Sequence, residues 1–125
     1  MPVHVQHLAL NFEQAYDGVR GQYSSSILLS QFLSNGLLPE TKHIVIVDVE
    51  LFIPILTFIY GEAQFDGQAA IVALHRLNSE FYGLNADPEL LHDRLQKEVV
   101  HELGHLFGLY HCRQFECVMR SSTYV

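Results

Sequence analysis

The sequence predicts a single domain of the α+β (α/β-like) class, in which strands and helices alternate along 125 residues. Residues 43–49 form a nearly continuous β-branched run, which is typical of a strand covered on both faces. From residue 88 to 107, leucine and valine recur every three or four positions, which predicts an amphipathic helix. Asp87 and Pro88 give this helix a capping side chain and a favourable first residue.

Shorter patterns predict the remaining elements. Residues 3–10 alternate weakly and predict a first strand, and residues 12–33 predict a first helix. A short strand is expected at residues 58–60 and turns at 61–67. Residues 68–77 predict a further strand, directly before the long helix.

The composition is that of a globular protein and excludes several classes of partner. Fourteen acidic and seven basic residues give a net charge of −7, which argues against nucleic acid and anionic membranes as partners. The apolar run at residues 44–60 contains Asp48, Glu50 and Pro54, so a strand and loop are expected there rather than a membrane span. Two cysteines do not form a disulfide framework, and no signal peptide is visible after Met1. These features predict a cytoplasmic protein.

Residues 101–111 contain the pattern H-E-x-x-H-x-x-G-x-x-H, the longer of two related zinc signatures. On a helix, His101 and His105 lie one turn apart and present both imidazoles to one point. Gly108 allows the chain to leave the helix, and the turn back brings His111 in as a third ligand. Three histidines leave one zinc position open for water, which indicates a catalytic site. Glu102, about 100° round the helix from His101, lies beside the metal rather than on it.

Three other residues near this motif have less specific roles. Asp93 and Glu98, on the same helix, are expected to be solvated. Tyr110 is expected either to contact the site or to pack beside it.

The pattern continues as Cys112, four residues, then Cys117-Val118-Met119, and in full it resembles the signature of the archaemetzincins (archaelysins). This family belongs to the metzincin zinc metallopeptidases. The resemblance implies that the three histidines bind one catalytic zinc, that Glu102 is the general base and acid, and that Met119 forms the Met-turn beneath the metal.

The resemblance also implies an architecture. It is a small twisted, mostly parallel sheet packed against an N-terminal helix and the zinc-binding helix. The last strand before the zinc helix, residues 68–77 here, is expected to form the rim of the cleft and to pair with the substrate backbone.

One feature departs from the family pattern. In the family, four cysteines hold a second, structural zinc, and a C-x-x-C pair after the methionine supplies two of them. Six residues follow Met119 here, without that pair, so Cys112 and Cys117 offer two of four ligands. The sequence thus predicts a single domain over residues 1–125 without the family's C-terminal segment. A second structural zinc is expected only if the chain continues beyond Val125, and the two cysteines are expected to be free or, as the alternative, bridged to each other.

These observations predict a zinc metallopeptidase that hydrolyses a peptide or protein substrate. The motif fixes the activation of water but not the bond that is cleaved, so a zinc hydrolase with a non-peptide substrate is one alternative. A non-enzymatic zinc-binding module is the other, and Glu102 argues against it because a structural site needs no general base. Substrate preference, exo- or endopeptidase action and oligomeric state have no signal in the sequence.

Overall fold

A computed structural model describes residues 3–34, 40–111 and 118–119 of the chain. Within these residues the longest element is one helix of 19 residues, and the strands are short. In chain order, the elements are α1 (Phe12–Ala15), β1 (Tyr16–Asp17), β2 (Gln22–Ser24), α2 (Ser25–Leu33), β3 (His43–Val47), β4 (Leu51–Phe52), β5 (Gly61–Ala63), β6 (Ala69–Ala73) and α3 (Pro88–Leu106). Two short 3-10 helices, His75–Leu77 and Ser79–Tyr82, connect β6 to α3.

The strands form two small sheets, and the predicted α+β class is confirmed. One sheet has the order β3-β6-β5, in which β3 is parallel and β5 antiparallel to β6. The other has the order β1-β2-β4, with one antiparallel and one parallel pairing. In the described part of the chain the sheets are therefore mixed rather than mostly parallel, because two of these four pairings are antiparallel.

Strand β6 lies at the centre of the fold, and all five of its residues are buried. It packs between α2 and α3 as well as between β3 and β5. Since successive side chains of a strand point to opposite faces, Ile71 joins the core that includes Leu28 and Val45, while Val72 faces the other way. Burial on both faces and pairing on both edges explain why the sequence of β6 is apolar throughout.

The structure corrects the prediction for the first thirty residues. Residues 3–10 form no strand, and Val3 and Val5 are 77% and 90% exposed. The predicted helix over residues 12–33 is divided into α1 and α2 by the β1–β2 hairpin. Asp17 causes this break, because its carboxylate accepts hydrogen bonds from the backbone amides of Val19 and Arg20, and Gly21 adopts a positive φ of 66°.

Two further corrections concern residues 58–77. The strand expected at 58–60 is a single bridge between Leu51 and Ile59, and β5 lies instead in the segment expected to be turns. The strand expected at 68–77 ends at Ala73, after which the chain forms a 3-10 helix. No helix among the described residues combines the length and the apolar character needed to cross a bilayer.

Candidate active site

Helix α3 carries the predicted ligands, and both of its ends are stabilised by side chains. At its start, the Asp87 carboxylate accepts a hydrogen bond from the Leu90 amide at 3.1 Å. At its end, Gly108 adopts a positive φ of 84° and donates its amide to the His105 carbonyl. Lys42 donates from Nζ to the Leu106 carbonyl at 2.9 Å, which places a cation at the negative end of the helix dipole. The chain can therefore turn back sharply after α3.

This turn brings three histidines to one place. His101 and His105 lie one turn apart on α3, and His111 returns from the segment after Gly108. One ring nitrogen from each residue lies within 4.8 Å of the others, and the Nε2 atoms of His101 and His105 are 3.2 Å apart. Among the described residues, these three form the group whose side chains can hold a metal ion together.

The hydrogen bonds of the two helical histidines favour a metal between them. His101 Nδ1 is 2.7 Å from the Val118 carbonyl and His105 Nδ1 is 2.8 Å from the Leu109 carbonyl. A carbonyl can only accept, so each neutral ring carries its proton on Nδ1 and leaves an Nε2 lone pair. Two lone pairs that face each other at 3.2 Å repel unless a cation or a proton lies between them. The donor set therefore fits a zinc ion, which prefers neutral imidazole nitrogen at about 2.0–2.1 Å.

The surroundings of His101 and His111 favour the neutral imidazole. Burial lowers the pKa of His101, and the imidazoles of His105 and His111 lower it further, against the opposing effect of the hydrogen bond to Val118. Burial and His105 likewise lower the pKa of His111. Because protonated imidazole cannot bind a metal, these shifts favour metal binding at neutral pH.

Glu102 lies beside the histidines rather than among them. Its Oε1 atom is 4.0 Å from His101 Nε2, and its Oε2 atom is buried without a hydrogen-bond partner in the described part of the chain. Burial, together with the charges of Glu98 and Glu62, raises the pKa of Glu102 to about 8. A divalent cation next to His101 acts in the opposite direction, because a positive charge favours the carboxylate. The proton affinity of this carboxyl group therefore depends on the metal.

The structure adds two acidic residues that the sequence did not identify as part of the site. Glu98 was expected to be solvated, but it is partly buried, and burial raises its pKa to about 7. Glu62, on β5, accepts hydrogen bonds from the hydroxyl groups of Ser25 and Ser26 at the start of α2. Glu98 lies one turn before Glu102 on α3, whereas Glu62 comes near Glu102 through packing of β5 against α3, which no local sequence pattern marks.

Met119 packs against α3, the helix that carries two of the predicted ligands. Its side chain is 5% exposed and packs on Gly104, where an added Cβ atom would lie 2.3 Å from Met119 Sδ. The preceding residue, Val118, orients His101 through its carbonyl. Thus the residue predicted for the Met-turn is located next to the ligand helix. Cys112 and Cys117 lie outside the described residues.

The strand expected to pair with substrate has no free edge. The segment at 68–77 contains β6, whose two edges are already occupied by β3 and β5. Strand β5 pairs only with β6 among the described residues, and it lies beside the histidine cluster, since Gly61 packs against Glu102. The sequence missed this because Gly61 and Glu62 have low strand propensity.

Comparison with known proteins agrees with this arrangement. Residues 12–125 match the model described as peptidase family M54. The chain belongs to peptidase family M54. An archaemetzincin of Methanocaldococcus jannaschii is 39% identical over 111 residues, which cover 87% of this chain and 59% of that protein.

Solved structures of this family show the same fold. The crystal structure of an archaemetzincin from Methanopyrus kandleri superposes with a TM-score of 0.78 at 39% identity, and the match covers 90% of this chain and 58% of that one. The structure of a zinc-dependent peptidase from Methanocorpusculum labreanum superposes with a TM-score of 0.82 at 30% identity and covers 98% of this chain and 73% of the other. The chain spans about 59% of the length of the curated M54 relatives from M. jannaschii and M. kandleri.

Proposed function

We propose that this chain hydrolyses peptide bonds at one zinc ion bound by His101, His105 and His111, with Glu102 as general base and acid. The observation that supports this most directly is the convergence of three ring nitrogens within 4.8 Å beside a buried carboxylate, one oxygen of which has no hydrogen-bond partner among the described residues. A structural site would be closed by a fourth protein ligand, whereas three ligands leave a position for water. Membership of family M54 supports the same chemistry.

When bound, zinc supplies a Lewis acid that activates a water molecule and polarises the carbonyl of the scissile bond. The carboxylate of Glu102 accepts the proton of the attacking water, because its Oε1 atom lies 4.0 Å from His101 Nε2, beside the proposed metal. The same carboxyl group then delivers the proton to the leaving amine. Burial of Glu102 excludes bulk water from this transfer and keeps the proton affinity of the carboxyl group high.

Strand β5 provides the binding edge for a peptide in this proposal. The Tyr60 carbonyl accepts a hydrogen bond from Ala73, and the Gln64 amide donates one to Ala69, so residues 60 and 64 face β6. By alternation, the backbone groups of Gly61 and Ala63 face away from β6, where a substrate strand can pair with them. A strand edge that is unpaired among the described residues, next to the histidines, favours a peptide over a small non-peptide substrate.

Replacement of Glu102 by glutamine tests the proposed chemistry. Glutamine keeps the size of the side chain but cannot accept a proton, so kcat for peptide cleavage should fall by about 100- to 10,000-fold. Zinc content, measured by metal analysis, should stay near one ion per chain. Glu89→Gln, at an exposed position on the same helix, is the matched control and should retain activity.

Other outcomes would favour the rival functions. Equal activity of the unsubstituted and Glu102→Gln proteins would remove Glu102 from the mechanism. A zinc-loaded protein that cleaves no member of a broad peptide library, but does hydrolyse ester or amide compounds, would indicate a non-peptide hydrolase. Zinc binding without hydrolysis of any substrate would indicate a binding module. Two tightly bound zinc ions per chain would contradict the expected stoichiometry.

A further inference from the structure

Two exposed aromatic rings lie against each other at the edge of the histidine cluster. The rings of Phe65 and Tyr110 are stacked with centroids 4.7 Å apart and planes inclined by 28°. Phe65 also lies 6.4 Å from the His105 ring, so the pair borders the metal ligands directly. The two residues are 48% and 77% exposed, which leaves aromatic surface available to a ligand.

The elements that build the site also hold this pair in place. Phe65 is in the loop between β5 and β6, and the amide of its neighbour Asp66 donates to the His105 carbonyl at 2.8 Å. Lys42 Nζ joins the same loop to the end of α3, because it donates to the carbonyls of both Gly67 and Leu106. Tyr110 directly precedes the ligand His111. The rings therefore have a fixed position relative to the reacting centre.

The direction of β5 determines which part of a substrate meets the rings. The strand begins at Gly61, which packs on Glu102, and leads to Phe65, which lies beside His105. Antiparallel pairing is the more stable way to add a strand to a free edge. An antiparallel substrate runs opposite to β5, so its residues on the N-terminal side of the scissile bond lie next to Phe65 and Tyr110.

We propose that Phe65 and Tyr110 form an aromatic platform that binds an aromatic side chain on the N-terminal side of the scissile bond. This inference rests on the proposed peptidase function and adds a specificity to it. Stacked aromatic rings present a flat apolar surface on which another ring packs in an offset or edge-to-face arrangement. The platform thus selects peptides with phenylalanine, tyrosine or tryptophan at that position over alanine or lysine.

The absence of tryptophan from the chain gives a direct measurement of this binding. Cleavage products of the unsubstituted zinc-loaded protein, analysed by mass spectrometry, define the scissile bond of a test peptide. One tryptophan is then placed on the N-terminal side of that bond, or on its C-terminal side in a matched peptide. Binding to zinc-loaded Glu102→Gln protein is followed by tryptophan fluorescence, which reports the peptide alone.

Phe65→Ala and Tyr110→Ala, each in the Glu102→Gln background, should each weaken binding of the N-terminal tryptophan peptide by about fivefold to tenfold. Phe65→Tyr should restore the affinity, because it keeps the ring. Tyr16→Ala is the matched control, since Tyr16 is 50% exposed but belongs to the other sheet, and it should leave the affinity unchanged. Metal analysis of each variant should give the same zinc content.

Two results would overturn the platform. One is equal affinity for the N-terminal tryptophan peptide in the Glu102→Gln protein with and without the Phe65→Ala or Tyr110→Ala substitution. The other is tighter binding of the peptide with tryptophan on the C-terminal side. If peptides are cleaved in either case, the proposed function stands and the platform alone fails. If no peptide is cleaved by the unsubstituted protein, the proposed function fails and the platform fails with it.

Discussion

At the level of single residues, burial is the largest cause of the pKa shifts at this site. Glu98 and Glu102 lie one turn apart on α3, and burial raises the pKa of Glu98 to about 7 and of Glu102 to about 8. The same burial lowers the pKa of His101. All three shifts favour the neutral form, as expected where few water molecules solvate a charge. A metal ion beside His101 offsets the cost of ionising Glu102.

Glu98 should make the stability of the metal-free protein fall with rising pH. Its pKa is raised from 4.5 to about 7 on folding, so the folded state holds the proton more tightly than the unfolded state. The resulting stability is present below pH 4.5 and is lost as the pH rises towards 7 and above. Between pH 5 and 8, ionisation of Glu98 should lower the free energy of unfolding by about 2 kcal/mol, since one pKa unit corresponds to about 1.4 kcal/mol. The Glu98→Gln protein should not show this decrease.

Urea unfolding of the metal-free protein at both pH values measures this effect. Glu80→Gln removes a carboxyl group at an exposed position, where no buried charge is lost. It should therefore keep the pH dependence of stability of the unsubstituted chain. A Glu98→Gln protein with an unchanged difference in stability between pH 5 and 8 would show that Glu98 is well solvated.

At the level of elements, close approach of backbones positions the site. Gly61 lets β5 approach both β6 and α3, because a Cβ atom there would be 2.7 Å from the Ile71 carbonyl oxygen and 3.1 Å from Glu102 Cγ. Gly104 similarly allows the Met119 side chain to reach α3. Glu62 then attaches the middle of β5 to the start of α2 through the serine hydroxyl groups. These contacts fix the distance between the strand edge and the ligands.

Gly61→Ala should destabilise the protein, although alanine normally favours a strand over glycine by about 0.5–1 kcal/mol. The added methyl group meets a backbone oxygen that cannot move without disturbing the β5–β6 pairing, so the free energy of unfolding should fall by about 1–3 kcal/mol. Urea unfolding measures this change. Gly18→Ala, where the nearest atom is 3.9 Å away, is the control and should cost less. A more stable Gly61→Ala protein would contradict the close packing.

The sequence identifies the ligand helix far better than the strands. The caps at Asp87 and Gly108 act within a few residues, and so does the regular spacing of the leucines. The sequence therefore predicts both ends of α3 to within one residue. Strand β5 depends instead on pairing with β6 and on packing of Glu102, which are long-range contacts that its glycine and glutamate do not signal. The burial of Glu98 was likewise invisible because packing of neighbouring elements decides it. Asp17 is a different case, because it breaks the first helix through local hydrogen bonds from Val19 and Arg20, which the helix prediction overlooked.

At the level of the whole molecule, segments distant in sequence meet around the C-terminal end of α3. Lys42, at the start of β3, contacts both the helix end and the β5–β6 loop. The Val118 carbonyl orients the His101 ring, and the Leu109 carbonyl orients the His105 ring. A metal bound by the three histidines therefore connects the helix to the segment that follows it, so metal binding and folding should be thermodynamically linked.

Removal of zinc should lower the melting temperature of the protein. A ligand that binds only the folded state stabilises it by RT ln(1 + [L]/Kd), which is about 2.7 kcal/mol at a concentration 100 times Kd. Calorimetry in EDTA and in increasing zinc concentrations measures this dependence. His105→Ala, which lacks one ligand, should respond much less to zinc. A melting temperature of the unsubstituted protein that does not depend on zinc would contradict the proposed site.

The carbonyl partners of the two helical histidines imply an order in which the site is completed during synthesis. His105 is oriented by Leu109, four residues away, so its orientation is available as soon as the helix end has left the ribosome. His101 is oriented by Val118, 17 residues away, which is translated later. A nascent chain that ends before Val118 therefore contains all three ligands but leaves His101 without its partner. In the proposed metal site, the orientation of His101 therefore depends on a residue made after the last ligand.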